Sequence, residues 1–183
     1  TSLDWFSQGN PLEVPNARHL LSELSRICDE TYADAPRIHN ELVNRRSLSS
    51  AAAAARMRLV ERMFTHGNSE WLGMDAAKKP PEMSMYLSVL LNTGIHHQHD
   101  GSWRIGEPHQ NRDKKCNVLP TLKKIREIVQ RQPDARVSVA ALFEELRKPP
   151  FGVRDGMIPL FLTVFAITHE QDVAFYKDGS FLR

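Results

Sequence analysis

Cysteine is scarce in this chain, and long apolar runs are missing. The 183 residues include two cysteines, Cys28 and Cys116, which are widely separated and outline no disulfide framework. This usage is typical of proteins from a reducing compartment, so we expect the protein to be cytoplasmic. A membrane-spanning helix needs about 18 or more consecutive apolar residues. The longest apolar run, 157–168, is shorter, which predicts a protein without a membrane segment.

A surplus of charge of one sign is also missing. The chain carries 24 Lys and Arg against 22 Asp and Glu, a net charge of +2, which is too little for general attraction to nucleic acid. Two stretches depart from this balance, since residues 37–62 have a net charge of +4 and residues 104–131 one of +5. They predict either a solvated surface or direct, sequence-nonspecific DNA binding. The basic side chains expected on phosphates in the second case are Arg45, Arg46, Arg58, Lys114, Lys115 and Lys124.

The sequence has no catalytic or metal-binding signature. It contains no Gly-x-x-x-x-Gly-Lys-Ser/Thr phosphate loop, and no nucleophile elbow selects a Ser-His-Asp set. Zinc ligands usually come as spaced Cys and His pairs, and no Cys-x-x-Cys pair accompanies the histidines. We therefore predict a noncatalytic protein that needs no metal and no cofactor. The side chains with metal-ligand atoms, interpreted as surface groups, are His96, His97, His99, Asp100, His109 and Cys116.

One pattern occurs twice in the sequence. Residues 86–105 and 160–183 each contain an apolar run of helical length, a short strand, an Asp-Gly-Ser turn and an aromatic residue. Asp-Gly is a favoured dipeptide in the tight turn of a β-hairpin. A helix followed by such a hairpin is the final part of a winged helix. We therefore predict a mainly α fold with short β-hairpins, organised as two winged-helix units in tandem.

Breaks along the chain predict four segments. Pro11 and Pro15 indicate a loose lead-in over residues 1–15, and Asn16 is a good helix N-cap. The polar, aperiodic stretch 106–117 indicates a linker. The predicted organisation is a lead-in at 1–15, a helical domain and possible winged helix at 16–105, a linker at 106–117 and a winged-helix domain at 118–183.

Three segments resemble parts of large bacterial proteins. Residues 149–156 (Pro-Pro-Phe-Gly-Val-Arg-Asp-Gly) with the apolar helix after them, and residues 173–181 (Val-Ala-Phe-Tyr-Lys-Asp-Gly-Ser-Phe), resemble a winged-helix segment appended to large bacterial ATPases. These include ATPases of phage-defence systems of the BREX type. Residues 40–51 are similar to another part of such multidomain proteins. The resemblance covers about a third of the chain and implies an accessory domain of a DNA-directed machine. Because the chain begins with Thr1 and lacks a phosphate loop, we expect a fragment whose nucleotide-binding engine lies elsewhere.

The apolar helix of the second unit bears on the choice between candidate functions. A recognition helix presents polar side chains to base edges in the major groove, whereas residues 157–168 are apolar on almost every side. Such a helix is buried on both sides or meets another protein. The favoured function is therefore docking to other domains or subunits of a larger complex, with homodimerisation through the alanine-rich run 51–55 as a further alternative. The candidate aromatic anchors, each also a good core residue, are Phe151, Phe175, Tyr176 and Phe181.

Overall fold

A computed structural model describes residues 4–45, 47–131 and 135–182, with the backbone but not the side chain of Asn111. About half of the chain is helical, and the strands of this described part form three antiparallel two-stranded hairpins. The predicted mainly α fold with short β-hairpins is therefore confirmed at this level. The chain divides into two compact units, Thr1–Ala33 and Asp34–Arg183. No helix of the described residues is long and apolar enough to cross a membrane.

The first unit begins with a hairpin. Strands β1 (Trp5–Ser7) and β2 (Asn10–Leu12) pair around Gln8 and Gly9, which both have a positive φ. This hairpin lies where the sequence predicts a loose lead-in. Gln-Gly is not among the dipeptides that strongly favour a tight turn, so the local sequence carries little signal for it.

Helix α1 (Ala17–Thr31) completes the first unit. It begins as predicted after Asn16, whose side chain accepts a hydrogen bond from the His19 amide at 2.9 Å. This bond satisfies one of the amides that a helix leaves unpaired at its start. None of the α1 residues is buried, and Leu21 is mostly exposed. The helix is thus formed by local capping and periodicity, with an apolar stripe open to solvent.

The second unit alternates helical segments with hairpins. Its two hairpins each close on an Asp-Gly turn with positive φ at both positions, as predicted. In chain order its elements are α2 (Glu41–Asn44), α3 (Ser50–Thr65), a 3-10 turn (Glu70–Gly73), α4 (Pro81–Met85) continued by a π-helical segment (Tyr86–Leu91), β3 (His96–His99), β4 (Ser102–Ile105), α5 (Gln110–Cys116), α6 (Leu119–Gln130), α7 (Val139–Arg147), α8 (Ile158–Thr168), β5 (Phe175–Lys177) and β6 (Ser180–Leu182).

Helix α8 forms the centre of the core in this unit. It packs against α3 and α6, and it buries Leu160, Phe161 and Val164 almost completely. Helix α3 contributes Leu59 and Met63 to the same core. The near absence of polar residues in α8 is therefore explained by burial within the chain itself. An external partner is not needed to cover this helix.

Helix α5 lies within the stretch that the sequence predicts to be an aperiodic linker. Its Asp113 is buried, and one carboxylate oxygen accepts hydrogen bonds from the amides of Val118 and Leu119 at 2.6 and 3.0 Å. The carboxylate therefore joins α5 to the start of α6. The sequence does not indicate this helix because its other side chains form no apolar stripe. Whether 16–105 and 118–183 act as separate domains stays a prediction.

Candidate interaction surfaces

The C-terminal hairpin carries exposed aromatic side chains. Its register pairs Tyr176 with Phe181, so both rings lie on one face, with 5.8 Å between their centroids. The two residues are 48% and 55% exposed, which is high for large aromatic residues. The Arg136 guanidinium lies 4.3 Å from the centroid of the Tyr176 ring and stacks on it by a cation–π contact. We call Tyr176 and Phe181 the aromatic face.

An apolar groove of about 630 Å³ lies beside the aromatic face. Its walls come from the end of α6, the start of α7, helix α8 and strand β5. Arg136, His169 and Asp172 supply polar groups to the lining. The apolar lining includes Val129, Val139, Leu142, Leu162, Phe165 and Phe175.

The four predicted aromatic anchors have different surroundings. Tyr176 and Phe181 are exposed, whereas Phe175 is half-buried in the wall of the apolar groove. Phe151 is also half-buried and packs against the core, with the Lys124 ammonium 5.9 Å from its ring centroid. The structure therefore brings Phe175 and Tyr176 to the groove, places Phe181 beside Tyr176, and leaves Phe151 apart from the groove lining.

Two of the six basic residues predicted on phosphates are held in close ion pairs. Arg58 Nε donates to the carboxylate of Glu82 at 3.0 Å, and that carboxylate is only 3% exposed. Lys124 Nζ lies 3.1 Å from Glu127, and the lysine side chain is mostly buried. Both cations are therefore partly neutralised and poorly placed to meet a polyanion.

The other predicted basic residues are less enclosed. Arg45 is exposed and lies 3.8 Å from the Glu41 carboxylate, a distance that adds little stability. Lys114 and Lys115 are exposed on α5. Arg46 lies outside the described residues. Lys114 and Lys115 therefore supply accessible positive charge on α5.

A second, polar groove of about 690 Å³ lies between the β3–β4 hairpin and α5. The register pairs His97 with Arg104 on the same face of this hairpin. His97 donates from Nδ1 to the Gly94 carbonyl at 2.8 Å, because a carbonyl oxygen only accepts. Its Nε2 is therefore the acceptor for Arg104 Nε, 3.2 Å away. This chain of bonds ties the Nε atom of Arg104 to the hairpin.

Gly94 also determines where Arg112 lies. Its φ of 82° ends the preceding helical segment, as is typical of a glycine at a helix C-terminus. A Cβ atom at this position would lie 2.8 Å from Cδ of Arg112. The missing side chain therefore lets Arg112 cross the backbone and reach the same groove as Arg104.

No protein-family model, curated protein or solved structure matches this chain. The chemistry of its own surfaces is therefore the basis for assigning a function.

The histidines beside the polar groove do not form a metal centre. Within the described residues, no three His, Cys, Asp or Glu side chains come together in a way that could hold an ion. His99 instead lies 3.2 Å from the Asp100 carboxylate at the hairpin tip. His96 differs from the surface residue that the sequence predicts, because it is fully buried.

His96 belongs to a buried aromatic cluster below the hairpin. Its Nε2 donates to the Gly67 carbonyl at 3.1 Å, so Nδ1 accepts from the Tyr86 hydroxyl at 2.9 Å. The imidazole also stacks on Trp103, with 4.7 Å between ring centroids. Burial, with a smaller contribution from the Glu70 charge, raises the pKa of Tyr86 to about 12. Tyr86 begins the π-helical segment, a rare feature that often accompanies functional constraints.

We expect the stability of the protein to fall below neutral pH through His96. Burial lowers the pKa of its imidazole, although the hydrogen bond to Gly67 opposes this shift. The unfolded chain then binds more protons below its ordinary pKa of about 6.5, so stability is full above that pH and declines as pH falls. Urea unfolding at neutral and mildly acidic pH measures the decline. The His96→Gln variant should show a smaller decline, and an equal decline in both proteins would contradict the assignment.

The sequence does not single out the two arginines of the polar groove. Arg104 and Arg112 lie within the basic stretch 104–131, but the residues predicted on phosphates do not include them. The register of a hairpin closed by Asp100 and Gly101 could have placed Arg104 beside His97. Nothing local in the sequence indicates that Gly94 makes room for Arg112, because that approach depends on the packing of α5.

Proposed function

We propose that this chain is a noncatalytic interaction module that docks to another protein through its aromatic face and the adjoining apolar groove. The exposure of Tyr176 and Phe181 beside a groove of about 630 Å³ carries this proposal. Aromatic side chains supply much of the energy of protein interfaces. Covering such surface stabilises a complex by about 25 cal/mol for each Å² of apolar area removed from water.

The electrostatics of this surface favour an apolar partner segment. Residues 136–183 carry equal numbers of basic and acidic side chains and have no net charge. Long-range attraction therefore contributes little to the choice of partner. Arg136 is already stacked on Tyr176, which holds that ring in one position and lowers the entropy lost on binding. The expected occupant is an apolar segment of another domain or subunit that inserts side chains into the groove.

A winged-helix architecture for residues 118–183 is part of this proposal. Helices α6, α7 and α8 followed by β5 and β6 have the order of a winged helix, with Asp178 and Gly179 at the tip of the wing. Helix α8 would occupy the place of the recognition helix, but its burial leaves little polar surface for reading bases. This supports protein docking over base recognition for residues 118–183. The β3–β4 hairpin after the π-helical segment supports a winged helix within residues 16–105 as well.

The resemblance of three segments to large bacterial ATPases supports a proposal about the assembly to which the module belongs. We place it in a cytoplasmic bacterial DNA-directed or phage-defence assembly, as an accessory domain. Its partner would then be another domain or subunit of that assembly, in which the catalytic work is done elsewhere.

A photo-crosslinking residue at position 176 should give a covalent product with one partner protein in the native cells. The expectation follows from the exposure of Tyr176 at the mouth of the groove. Mass spectrometry of the irradiated product identifies the partner and the crosslinked peptide. Adding Phe181→Ser in the same chain should lower the yield severalfold, since it removes the neighbouring ring.

The control is the same crosslinking residue at Glu61, an exposed position on α3. A product of equal yield from Glu61, or a yield at position 176 that does not respond to Phe181→Ser, would refute docking through the aromatic face.

A further inference from the structure

The polar groove contains two arginines, Arg104 and Arg112. Among the described residues, neither Arg104 nor Arg112 has a carboxylate within ion-pair distance, although both lie in one groove. Several other arginines lie within ion-pair distance of a carboxylate. The arginines with such a partner include Arg26, Arg58, Arg62, Arg126, Arg131 and Arg147.

The carboxylates near the groove are occupied by other groups. Glu107 lines the groove but pairs with Arg126, and Asp100 pairs with His99. Asp113 is buried and accepts hydrogen bonds from backbone amides at the start of α6. The only acidic side chain of α5 is therefore buried, and the exposed charged side chains of this helix are all positive. They belong to Arg112, Lys114 and Lys115.

Arg104 is also held in place before any ligand binds, and Arg112 lies close by. Arg104 is fixed through its Nε by His97, which is itself fixed by the Gly94 carbonyl. Arg112 lies across the same glycine. A guanidinium whose terminal amino groups are free presents a planar fork that matches the oxygens of a phosphate group. Preorganisation of this kind reduces the entropy cost of binding.

We infer that this groove binds the phosphodiester backbone of nucleic acid, with Arg104 and Arg112 on phosphate oxygens and Lys114 and Lys115 extending the contact along α5. The cationic groups of Arg104 and Arg112 in the lining of the groove suit the phosphates of a nucleic-acid backbone. The extension along α5 suits an elongated polyanion rather than a single phosphate. This groove and the aromatic face consist of different residues. A variant can therefore lose nucleic-acid binding and keep protein docking, or the reverse.

Fluorescence anisotropy with the complete 183-residue chain tests the inference. The probes are a short labelled DNA duplex, its single strand and the matching RNA strand, each titrated at about 50 mM and about 200 mM salt. The double variant Arg104→Gln/Arg112→Gln should bind the preferred probe at least tenfold more weakly at low salt. Loss of two phosphate contacts should also reduce the slope of log affinity against log salt by about 2.

The control variant Arg26→Gln/Arg131→Gln removes the same charge from two exposed arginines outside the groove. It should retain affinity within about twofold, since surface charge away from the contact acts only through the general field. All four arginine side chains are largely exposed, so circular dichroism should show unchanged folding. Equal loss in both double variants, or no binding of any nucleic acid at low salt, would overturn the inference. Binding of tripolyphosphate without binding of nucleic acid would overturn it as well.

Discussion

Replacing Gly156 with alanine should lower the free energy of unfolding by about 3 kcal/mol, at the upper end of the usual cost of overpacking. A Cβ atom at this position would lie 2.3 Å from the backbone oxygen of Val43 and 2.8 Å from its Cα. Both are backbone atoms, so no side-chain rotation relieves the clash. Val43 is fully buried in the core, and α2 would have to move away from the start of α8. Urea unfolding followed by circular dichroism measures the change.

Gly106→Ala is the matched control for this prediction. Its Cβ would meet only Cε1 of the His97 ring, at 3.4 Å, which is near ordinary van der Waals contact. A side chain can shift by the small distance required, so the cost should stay below about 1 kcal/mol. If Gly156→Ala proved as mild as Gly106→Ala, the close approach of α2 to residue 156 would be wrong.

Replacing Glu82 with glutamine should cost about 3 kcal/mol, the lower limit for breaking a buried ion pair. The Glu82 carboxylate is 3% exposed and lies 3.0 Å from Arg58 Nε and 3.6 Å from Arg62 Nε. Glutamine keeps the shape but leaves both guanidinium groups without a buried counter-charge. The loss stays near the lower limit because both arginines are partly exposed and can be solvated. Chemical denaturation at neutral pH provides the measurement.

The same carboxylate predicts a stability change in acid. Burial by itself would raise the pKa of Glu82, but its backbone amide and the two arginines outweigh burial and lower it. The stabilisation is therefore complete above the ordinary glutamate pKa of about 4.3 and is lost as pH falls through the lower folded pKa. Glu127→Gln is the control, because Glu127 also faces two cations but is exposed. Its cost should be below about 1 kcal/mol, and an equal cost at both sites would contradict the prediction.

The turns and caps of the fold could be predicted from short sequence motifs. Asn16 starts α1 and Asp100-Gly101 closes the β3–β4 hairpin, both as expected. These features depend on a few neighbouring residues and on local backbone preferences. Long-range packing does not have to be known to find them.

The backbone conformation of residues 71–73 could not be predicted from short sequence motifs. Trp71, Leu72 and Gly73 have consecutive positive φ values of 53°, 51° and 67°, in a segment that reads only as a loop. Leu72 is fully buried there and its carbonyl accepts a hydrogen bond from Arg62. Non-glycine residues adopt this conformation only when tertiary contacts offset its cost. Their geometry is therefore a property of the packed core.

The mainly α fold class, the start of α1 and the two Asp-Gly hairpins follow from the sequence alone. Turn dipeptides and helix caps act over a few residues, so they can be recognised without a structure. The burial of α8, the ion pairs of Arg58 and Lys124, and the meeting of Arg104 and Arg112 in one groove follow from the tertiary structure. Each of these outcomes depends on groups far apart in the sequence, whose burial and ion pairing are settled when the core packs.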